Sequence, residues 1–230
     1  MLPSYEDIAQ MIDHSLLRPE LTERQTREGC KLARRYGVAT VCVKPDFVPL
    51  AVCALAKSQV RVGTVVGFPH GNHTLAAKRF EAEQACLLGA REIDMVVNIG
   101  LVLSEKWVKV ATDIGEVADA VHGQGALIKV IFENCYLEDR HKVALCEICG
   151  NIGVDFVKTS TGFGTGGATE ADVQLMRKHS PPNVKIKAAG GIRTLDQALR
   201  MRELGCARIG ATATAAILDE LRSRLGLKAV

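Results

Sequence analysis

The stretch DFVKTSTGFGTGGAT, Asp155–Thr169, starts as an apolar strand, reaches Lys158, and turns at once into Thr, Ser and Gly residues that cannot continue a sheet. A lysine at the last position of a buried strand is costly to desolvate unless its amine has a chemical task. We read it as an amine that attacks carbonyls. The residues that follow, EADVQLMRKH, have helical spacing. Strand, glycine-rich loop and helix therefore form one unit, and the fold depends on whether that unit repeats.

Working outward, it does. Candidate strands fall at Met11–Ser15, Thr40–Val43, Val60–Val66, Glu92–Asn98, Leu127–Phe132, Val154–Thr159, Val184–Ala188 and Ala207–Gly210. Helical patterns fall near Leu21–Tyr36, Pro49–Lys57, Leu75–Leu88, Ser104–His122, Glu138–Gly150, Glu170–His179, Thr194–Leu204 and Thr214–Leu225. Short apolar runs alternating with amphipathic stretches are the mark of strand–helix units around a parallel sheet. Gly37, Gly89, Gly150 and Gly205 each follow a helical pattern and precede a strand, as expected of glycines at helix C-termini. The expected fold is α/β, a (β/α)8 TIM barrel formed as one domain over residues 1–230, with a doubly wound open sheet as the alternative. In a barrel the site lies at the C-terminal ends of the strands, where Lys158 stands.

Strand parity then tests which side chains enter the barrel, because the face toward the helices must be apolar. In EIDMVVN, Ile93, Met95 and Val97 share the outer face and Asp94 points inward. In LIKVIFEN the inward set is Lys129, Ile131 and Glu133; in TVCVKP it is Cys42 and Lys44. Lys158 shares its parity with Phe156, and VKIKAAGG sends both Lys185 and Lys187 inward without separating them. Lys129 is expected to pair with Glu133 or Asp94. Crowded ammonium groups and burial both lower a lysine pKa. A Schiff-base lysine must fall from about 10.4 towards roughly 7, a perturbation of about 4 to 5 kcal/mol.

Two further loops bear on an anion. KAAGGIRT (Lys187–Thr194) and ARIGATAT (Ala207–Thr214) lie in the last two units, where barrels bind phosphate through backbone N–H groups. Gly190, Gly191 and Gly210 permit close backbone approach, and Thr212 adds a hydroxyl. No G-x-G-x-x-G follows the first strand and no P-loop motif occurs, so nucleotide readings lack their signature.

The composition narrows the class. The 230 residues are 47% hydrophobic and 24% charged, with a formal charge of +3, too weak for a nucleic-acid partner. Eight cysteines read as reduced thiols of a cytoplasmic protein, and MLPSYEDIAQMIDHS has no basic-then-apolar leader pattern. Cys146 and Cys149 form a C-x-x-C inside a predicted helix, without a second pair at zinc spacing, and are expected to pack. The histidines of GFPHGNHT (Gly67–Thr74) do not match a helical zinc pair. We expect no metal, no cofactor and no membrane partner.

The ordered motifs IDHSLLRP, VCVKPDFV, GFPHG, EIDMVVNIG, LIKVIFENCYL, DFVKTSTGFGTGGAT, KAAGGIRT and RIGATAT resemble those of the deoxyribose-phosphate aldolase family. The resemblance implies a metal-independent (β/α)8 barrel that reversibly cleaves 2-deoxy-D-ribose 5-phosphate to acetaldehyde and D-glyceraldehyde 3-phosphate. By that resemblance Lys158 is the Schiff-base lysine, Lys187 the second lysine that depresses its pKa, and Asp94 the proton-relay carboxylate. Asp13 and Ser15 match a segment lining the sugar pocket and Cys42 a thiol near the aldehyde. Thr161, Gly190, Gly191, Gly210 and Thr212 match phosphate-side positions. The chain departs from many members at Phe163, where some carry lysine, and at Ala213, where many carry a second hydroxyl residue. The family also implies a homodimer or homotetramer. Two rivals are a Schiff-base barrel enzyme with another donor, and a phosphate-metabolite-binding barrel without catalysis.

Overall fold

In the computed structural model, which describes residues 2–228, eight parallel strands close into a barrel in sequence order. They are β1 (Ile12–Leu16), β2 (Thr40–Val43), β3 (Arg61–Val66), β4 (Glu92–Val96), β5 (Leu127–Ile131), β6 (Phe156–Lys158), β7 (Lys185–Ala189) and β8 (Cys206–Ala211). The barrel closes where Asp13 of β1 sits beside Gly210 of β8. This is the (β/α)8 architecture, and the open-sheet alternative is set aside by that pairing.

Around it run α1 (Tyr5–Ala9), α2 (Glu23–Tyr36), α3 (Val48–Ala54), α4 (Leu75–Leu87) and α5 (Ile99–Leu103). The rest of the ring is α6 (Trp107–His122), α7 (Asp139–Ile152), α8 (Glu170–His179), α9 (Leu195–Glu203) and α10 (Thr214–Arg224). The short α1 and α5 lie outside the eight helical patterns expected, since neither is long enough to show a period. Threonines start several helices: Thr22, Thr74, Thr169 and Thr194 each accept a hydrogen bond from the backbone of the first turn.

The outer faces of the strands carry the main core. Val41, Val43, Ile93, Met95, Ile128, Val130, Val157 and Ile186 are fully buried against the helices. Their alternates face inward and are strongly polar, so the barrel is filled by a charged network and not by aliphatic layers alone. Lys44 leaves the barrel at the end of β2 and donates to the carbonyls of Pro19 and Leu21.

One helix terminus differs from expectation. Gly150 lies inside α7, and the left-handed cap is Gly153, with φ +82°. A Cβ on Gly150 would stand 2.8 Å from Cδ of Pro181. The glycine there serves a close approach between α7 and the segment entering β7. Gly37, Gly89 and Gly205 do have positive φ at helix ends. Cys146 and Cys149 are buried free thiols packed within α7.

Candidate active site

Register brings the charged residues together. Lys158, last residue of β6, pairs beside Lys187 of β7, while Asp94 of β4 lies beside Lys129 of β5. All four side chains enter the barrel, and the three lysines converge on Asp94. Lys158 and Lys187 both donate to Oδ2 of Asp94, at 2.7 and 2.8 Å, and Lys129 donates to Oδ1 at 2.8 Å. The partner of Lys129 is thus Asp94, with Glu92 at 2.7 Å, and not Glu133. Asp13 approaches Lys187 at 2.5 Å and Lys129 at 3.4 Å. Arg208 reaches Asp13 at 3.4 Å and Glu92 at 3.2 Å from below.

Charge balance sets the protonation states. Inside the barrel, Lys129, Lys158, Lys187 and Arg208 face three carboxylates, Asp13, Glu92 and Asp94. One cation is in excess, and the cheapest relief is loss of a proton from the amine with the poorest anionic contact. Lys129 and Lys187 each reach two or more carboxylates, whereas Lys158 reaches Asp94 alone. Burial and the neighbouring Lys187 ammonium hold Lys158 below the ordinary lysine value, against the pull of Asp94. Burial also pushes down on Lys187, but Asp13 and Asp94 outweigh it and hold that ammonium above its usual range. Lys129 is held well above for the same reason. Desolvation would raise Asp94, yet Lys129, Lys158 and Lys187 together keep it ionised well below the ordinary carboxylate range.

Above this floor opens a cavity of about 500 Å3. Of the catalytic and substrate-binding residues expected from the resemblance, all but Asp94 line it: Lys158, Lys187, Asp13, Ser15, Cys42, Thr161, Gly190, Gly191, Gly210 and Thr212. Asp94 lies just beneath, fully buried, in contact through both lysines. Burial pushes the Cys42 thiol up to about 11, so it stays protonated beside the amines. Lys185, left unseparated from Lys187 by parity, is exposed and lies over the Phe156 ring at 5.6 Å, away from the cavity. His14, between Asp13 and Ser15, faces outward and pairs with Thr214 at 2.8 Å.

The loop after β6 is fixed by contacts the sequence did not disclose. Thr159 continues the β6–β7 ladder with its side chain, donating to Ala189 O and accepting from Ala189 N. Glu133, in a left-handed backbone conformation at φ +58°, accepts from the Thr161 backbone N–H at 3.1 Å and from its hydroxyl. Gly167 and Gly190 touch: a Cβ on Gly167 would fall 2.3 Å from the Gly190 carbonyl oxygen. Ala168 N–H is shared between the carbonyls of Ala189 and Gly190. Gly190 therefore serves loop-to-loop contact, while Gly191, at φ +88° with nothing near its missing Cβ, faces open space. Arg193 also lines the cavity, a cation present in KAAGGIRT but not singled out. Phe163 reaches over the barrel mouth and meets Phe68 edge-on, with ring centroids 5.2 Å apart. Ala213 leaves α10 without a side-chain cap.

The profile of the DeoC/LacD family aldolases matches residues 8–217. The chain belongs to the DeoC/LacD aldolase family. Two curated members named deoxyribose-phosphate aldolase are similar to it along nearly their full length. The one from Rhodopirellula baltica is 53% identical over 226 residues, covering 98% of this chain and 94% of the relative. The one from Caldanaerobacter subterraneus is 49% identical over 222 residues, covering 96% of each. Among solved structures, the tetrameric deoxyribose phosphate aldolase from Aeropyrum pernix superposes with a TM-score of 0.89. It is 30% identical, and the match covers 97% of this chain and 94% of that one. Among the described residues of this DeoC/LacD aldolase, no helix is long and apolar enough to cross a membrane.

Proposed function

We propose that this protein is a class I aldolase that reversibly cleaves 2-deoxy-D-ribose 5-phosphate to acetaldehyde and D-glyceraldehyde 3-phosphate. The observation that carries the reading is the single Asp94 carboxylate shared by Lys158 and Lys187 at the floor of a cavity. Similarity to relatives named for that activity supports the substrate.

In this reading the neutral amine of Lys158 attacks C1 of the open-chain sugar, and loss of water gives an iminium. Asp94, acting through water with Lys187 assisting, removes the C3 hydroxyl proton, and the C2–C3 electron pair flows into the iminium. Protonation of the enamine and hydrolysis release acetaldehyde and restore the amine. Asp13 and Ser15 orient the sugar, and Cys42 stays a neutral wall near the aldehyde. Gly190, Gly191, Gly210 and Thr212 hold the phosphate, and Thr161 shapes that end. Their binding energy is spent on orientation. The chemistry needs no metal or cofactor. The working unit is one domain, residues 1–230, acting in the cytoplasm as a homodimer or homotetramer.

The test is borohydride reduction in the presence of acetaldehyde, followed by peptide mass spectrometry. The reduced adduct is expected on Lys158, and label on Lys129 or Lys187 instead would sink the assignment.

A further inference from the structure

Beneath the amines lies a second layer of charge that the proposed chemistry does not use. Its centre is Arg208 of β8, whose guanidinium meets Asp13 at 3.4 Å and Glu92 at 3.2 Å. A register shift places it there. Ile186 of β7 lies beside Cys206, but the next residue, Lys187, lies beside Arg208. Ala207 is thus one residue too many in β8, and such an irregularity re-aims the side chain that follows it. The Arg208 side chain is only 14% exposed, so water screens its charge poorly. It lies over the buried Phe156 ring at 5.5 Å and donates from Nε to Gln10 O at 3.2 Å.

Two lines of buried contacts join this layer to Lys158. Arg208 reaches Oδ1 of Asp13, Oδ2 of Asp13 meets Lys187, and Lys187 shares Oδ2 of Asp94 with Lys158. Glu92 meets Lys129 at 2.7 Å, and Lys129 donates to Oδ1 of Asp94. Neither Arg208 nor Glu92 lines the cavity. The remaining charged groups act less directly. Arg61 of β3 and Lys185 of β7 are exposed, as are Arg18, Glu20 and Arg193 at the cavity mouth, and solvent screens them. Glu133 is engaged with Thr161, and Cys42 of β2 stays a neutral thiol. A guanidinium cannot give up its proton. The excess positive charge that Arg208 brings must therefore be relieved at a lysine.

We propose that Arg208 and Glu92 are positioning residues of opposite sign for the Lys158 amine, acting through Asp13, Lys187 and Lys129 without touching substrate. This rests on the aldolase reading above, in which Lys158 attacks as the neutral amine. Arg208 adds a fixed positive charge and draws on the two carboxylates that Lys187 and Lys129 also use, which favours the neutral amine. Glu92 compensates Lys129 and works the other way. The balance between them decides how much of the nucleophile is ready at a given pH.

The experiment follows the acid limb of kcat/KM for cleavage of 2-deoxy-D-ribose 5-phosphate in Arg208→Met, Arg208→Lys, Glu92→Gln and the double variant Arg208→Met/Glu92→Gln. Arg208→Met should move the limb toward alkaline pH and Glu92→Gln toward acid pH. Each shift should be about one pH unit, the interaction of charges about 10 Å apart at an effective dielectric near 20. Arg208→Lys keeps the charge and should hold the native limb, and the double variant, having lost one charge of each sign, should return close to it. A structural role alone would lower kcat/KM at every pH and leave the limb in place. A limb that does not move in the stated direction in either folded single variant overturns the proposal, and if Arg208→Met does not fold, Glu92→Gln decides alone. Borohydride trapping of the acetaldehyde adduct on Lys158 against pH gives the same shifts without turnover. A native protein that neither cleaves the sugar nor traps on Lys158 overturns the aldolase reading itself, whereas native cleavage with unmoved limbs overturns only the roles of Arg208 and Glu92.

Discussion

Lys158 and Lys187 donate to the same oxygen, Oδ2 of Asp94, from adjacent positions on neighbouring strands. One carboxylate oxygen cannot fully compensate two ammonium groups. Lys187 has Asp13 as a second anion and Lys158 has none, so of the two ammonium groups Lys158 holds its proton less tightly.

The pH profile should follow from this. With the Lys158 pKa depressed by burial and by Lys187, the free amine persists to lower pH than an ordinary lysine allows. Activity should fall on the acid side as Lys158 is protonated. Lys187→Met removes the neighbouring charge, raises the Lys158 pKa, and should move the acid limb of kcat/KM toward alkaline pH. An acid limb that stays in place would show that Lys187 does not set it.

Asp94→Asn separates chemistry from nucleophile. The reduced acetaldehyde adduct should still form on Lys158, while cleavage should slow by about 10²- to 10⁴-fold, the usual contribution of a positioned general base. Near-normal turnover would exclude the relay role. Three cations would lose their shared anion, so a stability loss of about 3–5 kcal/mol is expected by denaturant titration.

The same network gives stability opposite signs at the two ends of the pH scale. Asp13 and Asp94 are held below their ordinary values, so their contribution is fully present above about pH 4 and is lost as pH falls through their folded values. Lys129 and Lys187 are held above theirs. Their contribution is fully present below about pH 10.4 and is lost as pH rises through the folded values. Lys158, held low, works in the reverse sense and weakens the fold as pH falls from about 10.4 through its folded value. Thermal midpoints measured against pH should therefore drop steeply in strong alkali, and Lys129→Met should reduce that drop while lowering the midpoint at neutral pH.

Glu133→Ala should expose what the carboxylate does for the loop after β6. It leaves the Thr161 N–H buried without its acceptor, a loss of about 1–3 kcal/mol at that group. We expect KM for the phosphorylated sugar to rise about tenfold with a smaller change in kcat. Glu133→Gln retains an acceptor oxygen and should recover most of the loss. Equal damage in both variants would point to charge, not to loop positioning.

Gly150→Ala tests a contact remote from the cavity. An alanine in a helix interior ordinarily stabilises by about 1 kcal/mol, but here its Cβ meets Pro181. A lowered urea midpoint is expected, with a cost of about 1–3 kcal/mol and unchanged kcat/KM. A raised midpoint would show that the proline ring yields.

Much of this was legible in the chain because strand parity is a two-fold signal and the barrel obeys it. Asp94, Lys129 and Lys158 point inward as their alternation with Ile93, Ile128 and Val157 requires. Glu92 shares the inward parity of Asp94 in the same strand, while Arg208 of β8 could have been found by extending the count to that last strand. Glu133 could not, because its role depends on a left-handed backbone and a partner on another loop. Gly150 misled for a related reason: a glycine required by a neighbour across space has the same letter as one required by a helix end.

The Gly167–Gly190 contact makes the loop that follows Lys158 and the loop that follows β7 a single mechanical part. A displacement of one cannot be absorbed between them. In the proposed reading the span from amine to anion is set by that contact, a gauge against which a substrate of the wrong number of carbons would be measured before any bond is broken.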